Sequence, residues 1–375
     1  MTDLDSHSTA ESSVGADWDS LARFLHSEAF AEAATLRIVD VRRPRGGMSW
    51  ETFFVLLDIG SPHDRQQWIA VKRAPGDVGP LGPYNARKDA IIFRSLHGHV
   101  PVPKFVAHCD DPDVFVRPFT ASELIEGESD DLYRIERWPT WQTHRDELGQ
   151  AIVDALAALH RFRWQGSSIL ETLRIPGSIH DALRPMVEWY SQPYQQRRDD
   201  VTLAQIFWRD LGVWLLDNAP EIPVDEMVVV HGDFRFGNML WQGTRVAAII
   251  DWERAMLGDP MSNVGFLSMP MARRRRPELM GMAVTFERLD ELYTAALGTP
   301  IDRRRFQYYM IFWQFIEGSL MSRPTSGRQE GVGPGGTDLA ARKPVVGTLP
   351  IGPTLHLNQT LRLVEAFENG DHDVL

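Results

Sequence analysis

The 375-residue chain predicts an α+β fold in two lobes, a small, mainly β N-lobe followed by a larger helical C-lobe. Two observations carry this expectation. Short β-like apolar runs fill the first third, whereas apolar residues at helical spacing dominate beyond Gly127. A short second group of apolar strands then sits among the helices, an order typical of segregated layers. The junction falls near Glu126, which gives lobes at residues 18–127 and 128–375.

Residues 1–17 are polar and Ser-rich and read as a disordered tail. Residues 18–30 place Trp18, Leu21, Phe24 and Leu25 on one stripe of a short helix. Strands follow at 36–41, 52–59 and 68–72, the first two joined by a turn containing Gly46 and Gly47. Residues 85–96 read as a helix through Ala86, Ala90, Phe93 and Leu96, bounded by Pro101 and Pro103, and 115–125 as further strand. In the second lobe three stripes run through Leu148–Leu159, Leu203–Leu215 and Phe286–Ala296, the last ending at Gly298. Residues 306–321 are almost wholly apolar and predict a buried helix. Residues 322–353, rich in Gly and Pro, predict a long flexible loop, either an insertion or a substrate lid.

Composition narrows the function. A formal net charge of −12 argues against nucleic acid as a partner. One cysteine, Cys109, excludes an internal disulfide framework and fits a cytoplasmic, reducing compartment. The N-terminal residues have no secretion-signal pattern, and no apolar run is long enough for a membrane span. The chemistry concentrates in residues 228–259, VVVHGDFRFGNMLWQGTRVAAIIDWERAMLGD. One apolar strand leads into His231, Asp233 and Asn238; a second, 246–250, delivers Asp251. A carboxylate such as Asp233 can aim a substrate hydroxyl and take its proton. Asn238 and Asp251 offer the hard oxygens that magnesium prefers. Asp-x-x-x-x-Asn followed by an Asp at a strand end is the spacing protein kinases use for these tasks. The triplet alone is weak and flanked by two strands it is specific; the alternative is that Asp and Asn merely cap a hairpin turn. His231 reads as a residue that bonds backbone, and the scattered remaining histidines disfavour a metallohydrolase. In the first lobe Lys72 ends the apolar run 68–71, where its ammonium could reach phosphates, unless it is an ordinary exposed strand lysine. Backbone N–H groups from Gly46 and Gly47 to Ser49 could cap those phosphates, unless they form only a turn.

The segments GGMSWETFFV, AVKR, VPVPKFV, PFTASELIEG, LAALH, HGDFRFGNML and IIDWERAMLGDP together resemble the aminoglycoside phosphotransferase (choline kinase-like) family. The resemblance spans about residues 39–315 and is strongest to the branch related to the kinase-like domain fused to some acyl-CoA dehydrogenases. It implies a bilobal protein-kinase-like fold and transfer of the γ-phosphoryl group of ATP or GTP to a hydroxyl. Under it Asp233 looks like the catalytic base, Asn238 and Asp251 like magnesium ligands, and Lys72 like the phosphate-binding lysine. The backbone of Glu123 to Ile125 is similar to the hinge that holds the nucleotide base. Three positions depart from the pattern. Asp89 stands where a Glu normally partners the lysine, Asn263 stands for an Asp and is expected to keep a helix-capping role, and Ser122 replaces a larger apolar residue.

The acceptor is the open question. The resemblance implies a small molecule bearing a hydroxyl, with an antibiotic kinase or a non-catalytic nucleotide-binding regulator as alternatives. The arginine runs 273–276 and 303–305 suggest an anionic, acyl-CoA-like acceptor, unless they are solvated faces. Oligomeric state is not legible.

Overall fold

Asp17 opens the first helix, α1 (Trp18–Ala29), its carboxylate accepting the Ser20 N–H at 2.9 Å. Strands β1 (Leu36–Arg42), β2 (Glu51–Ile59) and β3 (Arg65–Arg73) follow, then α2 (Ala86–Leu96), capped by the Asn85 side chain. Next come β4 (Phe105–Cys109), the one-turn α3 (Pro112–Phe115) and β5 (Phe119–Glu123). The computed structural model describes residues 17–44, 50–75, 85–129, 135–195, 203–273, 276–321 and 351–373. The strands form one five-stranded sheet in the order β1-β2-β3-β5-β4, antiparallel throughout.

Residues 115–125 are not one strand as expected. Asp111 caps α3, Pro112 starts it, and Val116 ends it in the left-handed region at φ 68°. Pairing begins only at Phe119, so the apolar run is split by a turn whose cap lies upstream of it. On one sheet face Phe53, Val55, Leu57, Ile69 and Val71 pack with Leu21 and Leu25 of α1. The period of two turns Lys72 to the other face, toward Asp89 of α2.

The helical part comprises α4 (Pro139–Thr143), α5 (Arg145–Arg161), α6 (Ile179–Gln195) and α7 (Leu203–Asp217). The short strands β6 (Val228–Val230), β7 (Met239–Gln242), β8 (Arg245–Ile249) and β9 (Met256–Gly258) come next. They form two ribbons, β6 with β9 and β7 with β8. Five helices complete it: α8 (Pro260–Ser268), α9 (Pro270–Arg273), α10 (Phe286–Leu297), α11 (Arg303–Met321) and α12 (Ile351–Glu368). The Gly298 stop is seen at φ 82°. Helix α11 is the buried apolar helix anticipated, with Tyr309, Phe312, Trp313 and Phe315 sealed from solvent. It packs tightly on α8, because a Cβ at Gly265 would lie 2.6 Å from that of Tyr309. Asn263, expected as a cap, lies inside α8; Asp259 caps that helix, accepting the Met261 N–H at 2.8 Å.

The loop expected over 322–353 ends earlier, since α12 begins at Ile351. Pro353 falls in its first turn, where a missing N–H costs no intrahelical bond. The rest of that segment and the tail 1–16 lie outside the described residues. The chain divides into two compact units. One contains the described residues up to Glu128 together with Ala247–Glu253; the other contains Ser129–Val246 and the described residues from Arg254 onward. No helix among the described residues is long and apolar enough to cross a membrane.

Asp259 carries a measurable consequence. Burial pushes its carboxyl up to about 6, only partly offset by Arg305, 3.6 Å away. The folded state therefore holds this proton more tightly than the unfolded chain, and stability is lost as pH rises from about 4 through 6. Asp259→Asn keeps a capping oxygen and should remove that loss. Relative to wild type it should gain up to about 3 kcal/mol between pH 4 and pH 7.5 in urea denaturation. A variant-minus-wild-type difference that stays flat with pH would contradict the assignment.

Candidate functional site

Two clusters gather the chemistry-bearing residues, one in each unit. In the first, Lys72 sits next to the end of β3, paired with Thr120 of β5 and Thr52 of β2. Its Nζ donates to Asp251 Oδ1 at 2.7 Å and lies 3.6 Å from Asp89 Oδ2 and 5.5 Å from the centre of the Trp50 ring. Burial works against the ammonium, yet Asp251, Asp89 and Glu253 outweigh it and hold Lys72 above the ordinary lysine range. Asp89 is the lysine's partner on α2, as expected, but through a long contact. Neither of its oxygens meets hydrogen-bond criteria, and burial raises its carboxyl.

Asp251 reaches Lys72 from just beyond β8, in a left-handed conformation at φ 66°. Few residue types tolerate that conformation, and Asp is among them. The segment is anchored behind it: Ile249 N–H bonds Pro101 C=O at 2.8 Å, and Trp252 Nε1 bonds Ile249 C=O at 2.9 Å. Glu253 accepts from Trp50 Nε1 at 2.7 Å, and its carbonyl accepts from Lys88 Nζ at 2.9 Å. Burial lowers the Lys88 ammonium to about 8, against the pull of Asp89 and Glu253. Trp50, Lys88 and Glu253 were not singled out from sequence. Their contacts cross 203 and 165 residues, and no local pattern marks them.

Glu123 ends β5 opposite Ile69 and gives its N–H to Lys104 C=O at 2.8 Å; Leu124 N–H reaches Trp68 C=O, and Ile125 follows half-buried. Ser122 is buried in the same strand. Gly46, Gly47 and Ser49 lie outside the described residues.

The second cluster is built on the loop after β6. Gly232 turns it at φ 82°, and a Cβ there would sit 2.5 Å from the Arg254 carbonyl oxygen, so only glycine fits. Asp233 pairs with Arg235 at 3.0 Å, its N–H donates to His231 Nδ1 at 3.1 Å, and its carbonyl accepts from Asn238 Nδ2 at 3.0 Å. Burial raises the Asp233 carboxyl, while Arg235 and Arg254 pull it back down. His231 is fully buried and bonds backbone, as read from sequence. Asn263 has a different task from capping: it accepts the His231 N–H at 2.9 Å and donates to Val229 C=O at 3.2 Å, fastening β6 to α8. Arg254 and Glu317 form a pair at 2.6 Å with both side chains largely buried. The Glu317 carboxylate keeps Arg254 charged despite burial. One signal for this pair was present, an acidic residue inside the otherwise apolar stretch 306–321.

The described arginines of the two runs are engaged locally. Arg273 is buried and bonds Pro277 C=O; Arg276 pairs with Glu136, Arg303 with Asp373, and Arg305 with Asp302 and Asp259. Arg304 stacks over Phe367, and residues 274–275 lie outside the described set. Among the described residues no group of three or more His, Cys, Asp or Glu forms a metal cluster. Magnesium held mainly by substrate oxygens needs fewer protein ligands. The chemistry of Asp251, whose side chain is 39% exposed, and of the Asn238 amide oxygen fits that role.

A strand lysine paired with a helix carboxylate, with a further Asp beside it, is an arrangement used by kinase-type phosphotransferases. The model of the phosphotransferase enzyme family matches residues 40–306, well over half the chain, and the protein belongs to that family. Acyl-CoA dehydrogenase family member 11 of Homo sapiens is 28% identical over 239 residues, 63% of this chain and 28% of the relative's length. The probable acyl-CoA dehydrogenase IBR3 of Arabidopsis thaliana is 27% identical over 296 residues, 73% of this chain and 34% of its own length. The chain thus spans about a third or less of these relatives. A Ralstonia eutropha crystal structure, provisionally assigned as an aminoglycoside phosphotransferase, superposes with a TM-score of 0.63 at 21% identity, covering 92% of this chain and 99% of that one. A thermostable mutant of the aminoglycoside phosphotransferase APH(4)-Ia, in a ternary complex with ADP and hygromycin B, gives 0.53 at 16% identity, covering 92% and 98%. These likenesses establish the α+β protein-kinase-like fold.

The Lys72 cluster can be tested on its own. Lys72→Met removes the ammonium that most supports the buried Asp89 carboxylate and should cost about 3 kcal/mol at pH 8. Because burial raises the Asp89 carboxyl, protonation should relieve that cost as pH falls toward 5. Asp89→Asn in the same background should restore most of the stability at pH 8. A pH-independent loss in chemical denaturation would show that the ion pair is not its cause.

Proposed function

We propose that the protein is a small-molecule kinase that transfers the γ-phosphoryl group of ATP or GTP to a hydroxyl of a metabolite. The observation that carries this reading is the Lys72 ammonium, held at 2.7 Å by Asp251 and kept charged by the surrounding carboxylates. An anchored, permanently charged lysine beside an accessible carboxylate is what a triphosphate and its metal require. In this reading the first unit handles the nucleotide. Lys72, fixed by Asp89 and Asp251, meets the phosphates, Gly46, Gly47 and Ser49 cap them, and the Glu123 to Ile125 backbone holds the base. Asp251 and Asn238 hold magnesium, which when bound neutralises charge on the phosphates.

Asp233 supplies the catalytic base in the second unit. Its partial burial disfavours the carboxylate, and the Arg235 guanidinium at 3.0 Å compensates, so that an acceptor oxygen can be oriented and relieved of its proton at neutral pH. The acceptor class is a hydroxylated metabolite. A hydroxyacyl compound is favoured by the names of the acyl-CoA dehydrogenase relatives, not by the arginine runs, which are engaged locally. The buried free thiol of Cys109 suits the cytoplasm as the site of action.

Asp233→Ala should lower kcat by about 10²–10⁴-fold while leaving nucleotide affinity nearly unchanged. Asp251→Ala should instead weaken nucleotide binding in the presence of magnesium and leave the magnesium-free affinity largely unaltered, as read by titration calorimetry. The assay is ADP release against a library of hydroxylated metabolites. Wild-type turnover in Asp233→Ala, or nucleotide hydrolysis stimulated by no hydroxyl compound, would defeat the proposal.

A further inference from the structure

His160, in the last turn of α5, is joined to the loop that carries Asp233 through a single side chain, Asn263 of α8. Its two ring nitrogens meet different partners. Nε2 lies 3.3 Å from Asn263 Nδ2, and Nδ1 lies 3.2 Å from the Tyr293 hydroxyl on α10. The His160 and Tyr293 rings meet edge to face, their centres 5.9 Å apart. All of these residues belong to the second unit.

The Asn263 amide cannot be turned end for end. Its Oδ1 faces the His231 N–H at 2.9 Å, which can only donate, and its Nδ2 faces Val229 C=O at 3.2 Å, which can only accept. One Nδ2 hydrogen therefore goes to Val229, and the other is left for His160 Nε2, which must offer a lone pair. A neutral imidazole has one such nitrogen, so its hydrogen sits on Nδ1 and is donated to the Tyr293 oxygen. Burial lowers the imidazole below the ordinary histidine value and raises the Tyr293 hydroxyl, on which Asp259 and Arg305 act in opposite senses. Both rings are thus neutral at pH 7. Asn263 is itself sealed from solvent, so an Nδ2 hydrogen without an acceptor is costly there. Without His160 the amide has less reason to keep the pose that holds the His231 N–H. That backbone leads directly into Gly232, and the His231 ring accepts the Asp233 N–H at 3.1 Å.

We propose that His160 is a positioning residue for Asp233, acting as a neutral acceptor that locks the Asn263 amide and, through it, the backbone from which the loop departs. It touches no reacting group. Its effect on turnover rests on the kinase reading, whereas its tautomer and its hold on the loop do not.

Isotope-edited NMR of the full chain labelled in histidine should show the His160 ring neutral, with Nδ1 protonated, from about pH 6 to pH 8. Asn263→Asp leaves a side chain that only accepts, so Nε2 must then carry a hydrogen, and the signal should move to the other tautomer or to the cation. His160→Phe keeps the edge contact with Tyr293 and has no acceptor. Hydrogen exchange of the segment 228–234 should then speed up about tenfold, the scale of one lost hydrogen bond. In the ADP-release assay kcat should fall about ten- to a hundredfold, with the affinity for magnesium-ATP unchanged. His160→Leu stands in should the larger ring misfold. His160→Gln, whose Oε1 can replace Nε2 as acceptor, should restore both slow exchange and turnover. A wild type protonated at Nε2, exchange and kcat unaltered in His160→Phe, or an equal loss in His160→Gln would overturn the proposal. A metabolite library that yields no acceptor would count against the kinase reading alone, and the exchange and tautomer results would still decide the role of His160.

Discussion

One ammonium group, that of Lys72, determines how much of the first unit must be arranged. It stands on a central strand, draws a carboxylate from α2 and another from a segment 179 residues later, and is charged because both are near. Burial works against the ammonium, and the carboxylates of Asp251, Asp89 and Glu253 offset it. The cost falls on Asp89, which is more deeply buried than the lysine and receives it at only 3.6 Å. Trp50, Lys88 and Glu253 complete the enclosure and steady the backbone that carries Asp251. A left-handed aspartate at the end of a five-residue strand is thereby held by contacts on both sides of it.

The second unit solves a comparable problem with a different balance. Asp233 is partly buried, and its charge is supported by Arg235 directly and Arg254 more remotely. Arg254 would itself be an uncompensated buried cation without Glu317, so a carboxylate on α11 is needed to keep a guanidinium that steadies a carboxylate on the loop. Such chains of paired charges are destabilising when any member is lost. The tight approach of Gly232 to the Arg254 backbone joins the two ends of this network mechanically as well.

Legibility in the sequence followed range. Elements whose apolar stripes are local, such as α1, α2 and α10 with its Gly298 stop, were readable because those signals fall within one helix, whereas the caps Asp17, Asn85 and Thr285 were not singled out. The run 115–125 was misread because its controlling residues, Asp111 and Pro112, precede it and turn its first residue into a helix end. Strand β4 went unread between prolines, its five residues too few to show alternation against their neighbours. At the site, Lys72, Asp233, Asn238 and Asp251 were legible as types at a spacing. The supporting residues Glu253, Arg254 and Glu317 were not read, since their contacts span 63 to 203 residues and only the lone acidic residue within 306–321 hinted at one of them. Asn263 was found but assigned the wrong task, because a buried amide that bridges a strand and a helix looks the same in sequence as one that caps.

The substitution at position 89 bears on why the lysine leans toward Asp251. A glutamate there would extend the carboxylate by about 1.5 Å, enough to close a 3.6 Å contact to hydrogen-bonding distance. With the shorter side chain, the Lys72 Nζ makes its short bond to Asp251 instead, at 2.7 Å. Were Asp251 to hold the metal of the proposed reading, Asp89 would be placed to receive the ammonium in its stead. Its two oxygens meet no hydrogen-bond partner, and its carboxyl is raised by burial, so a closer ammonium would relieve both costs at once.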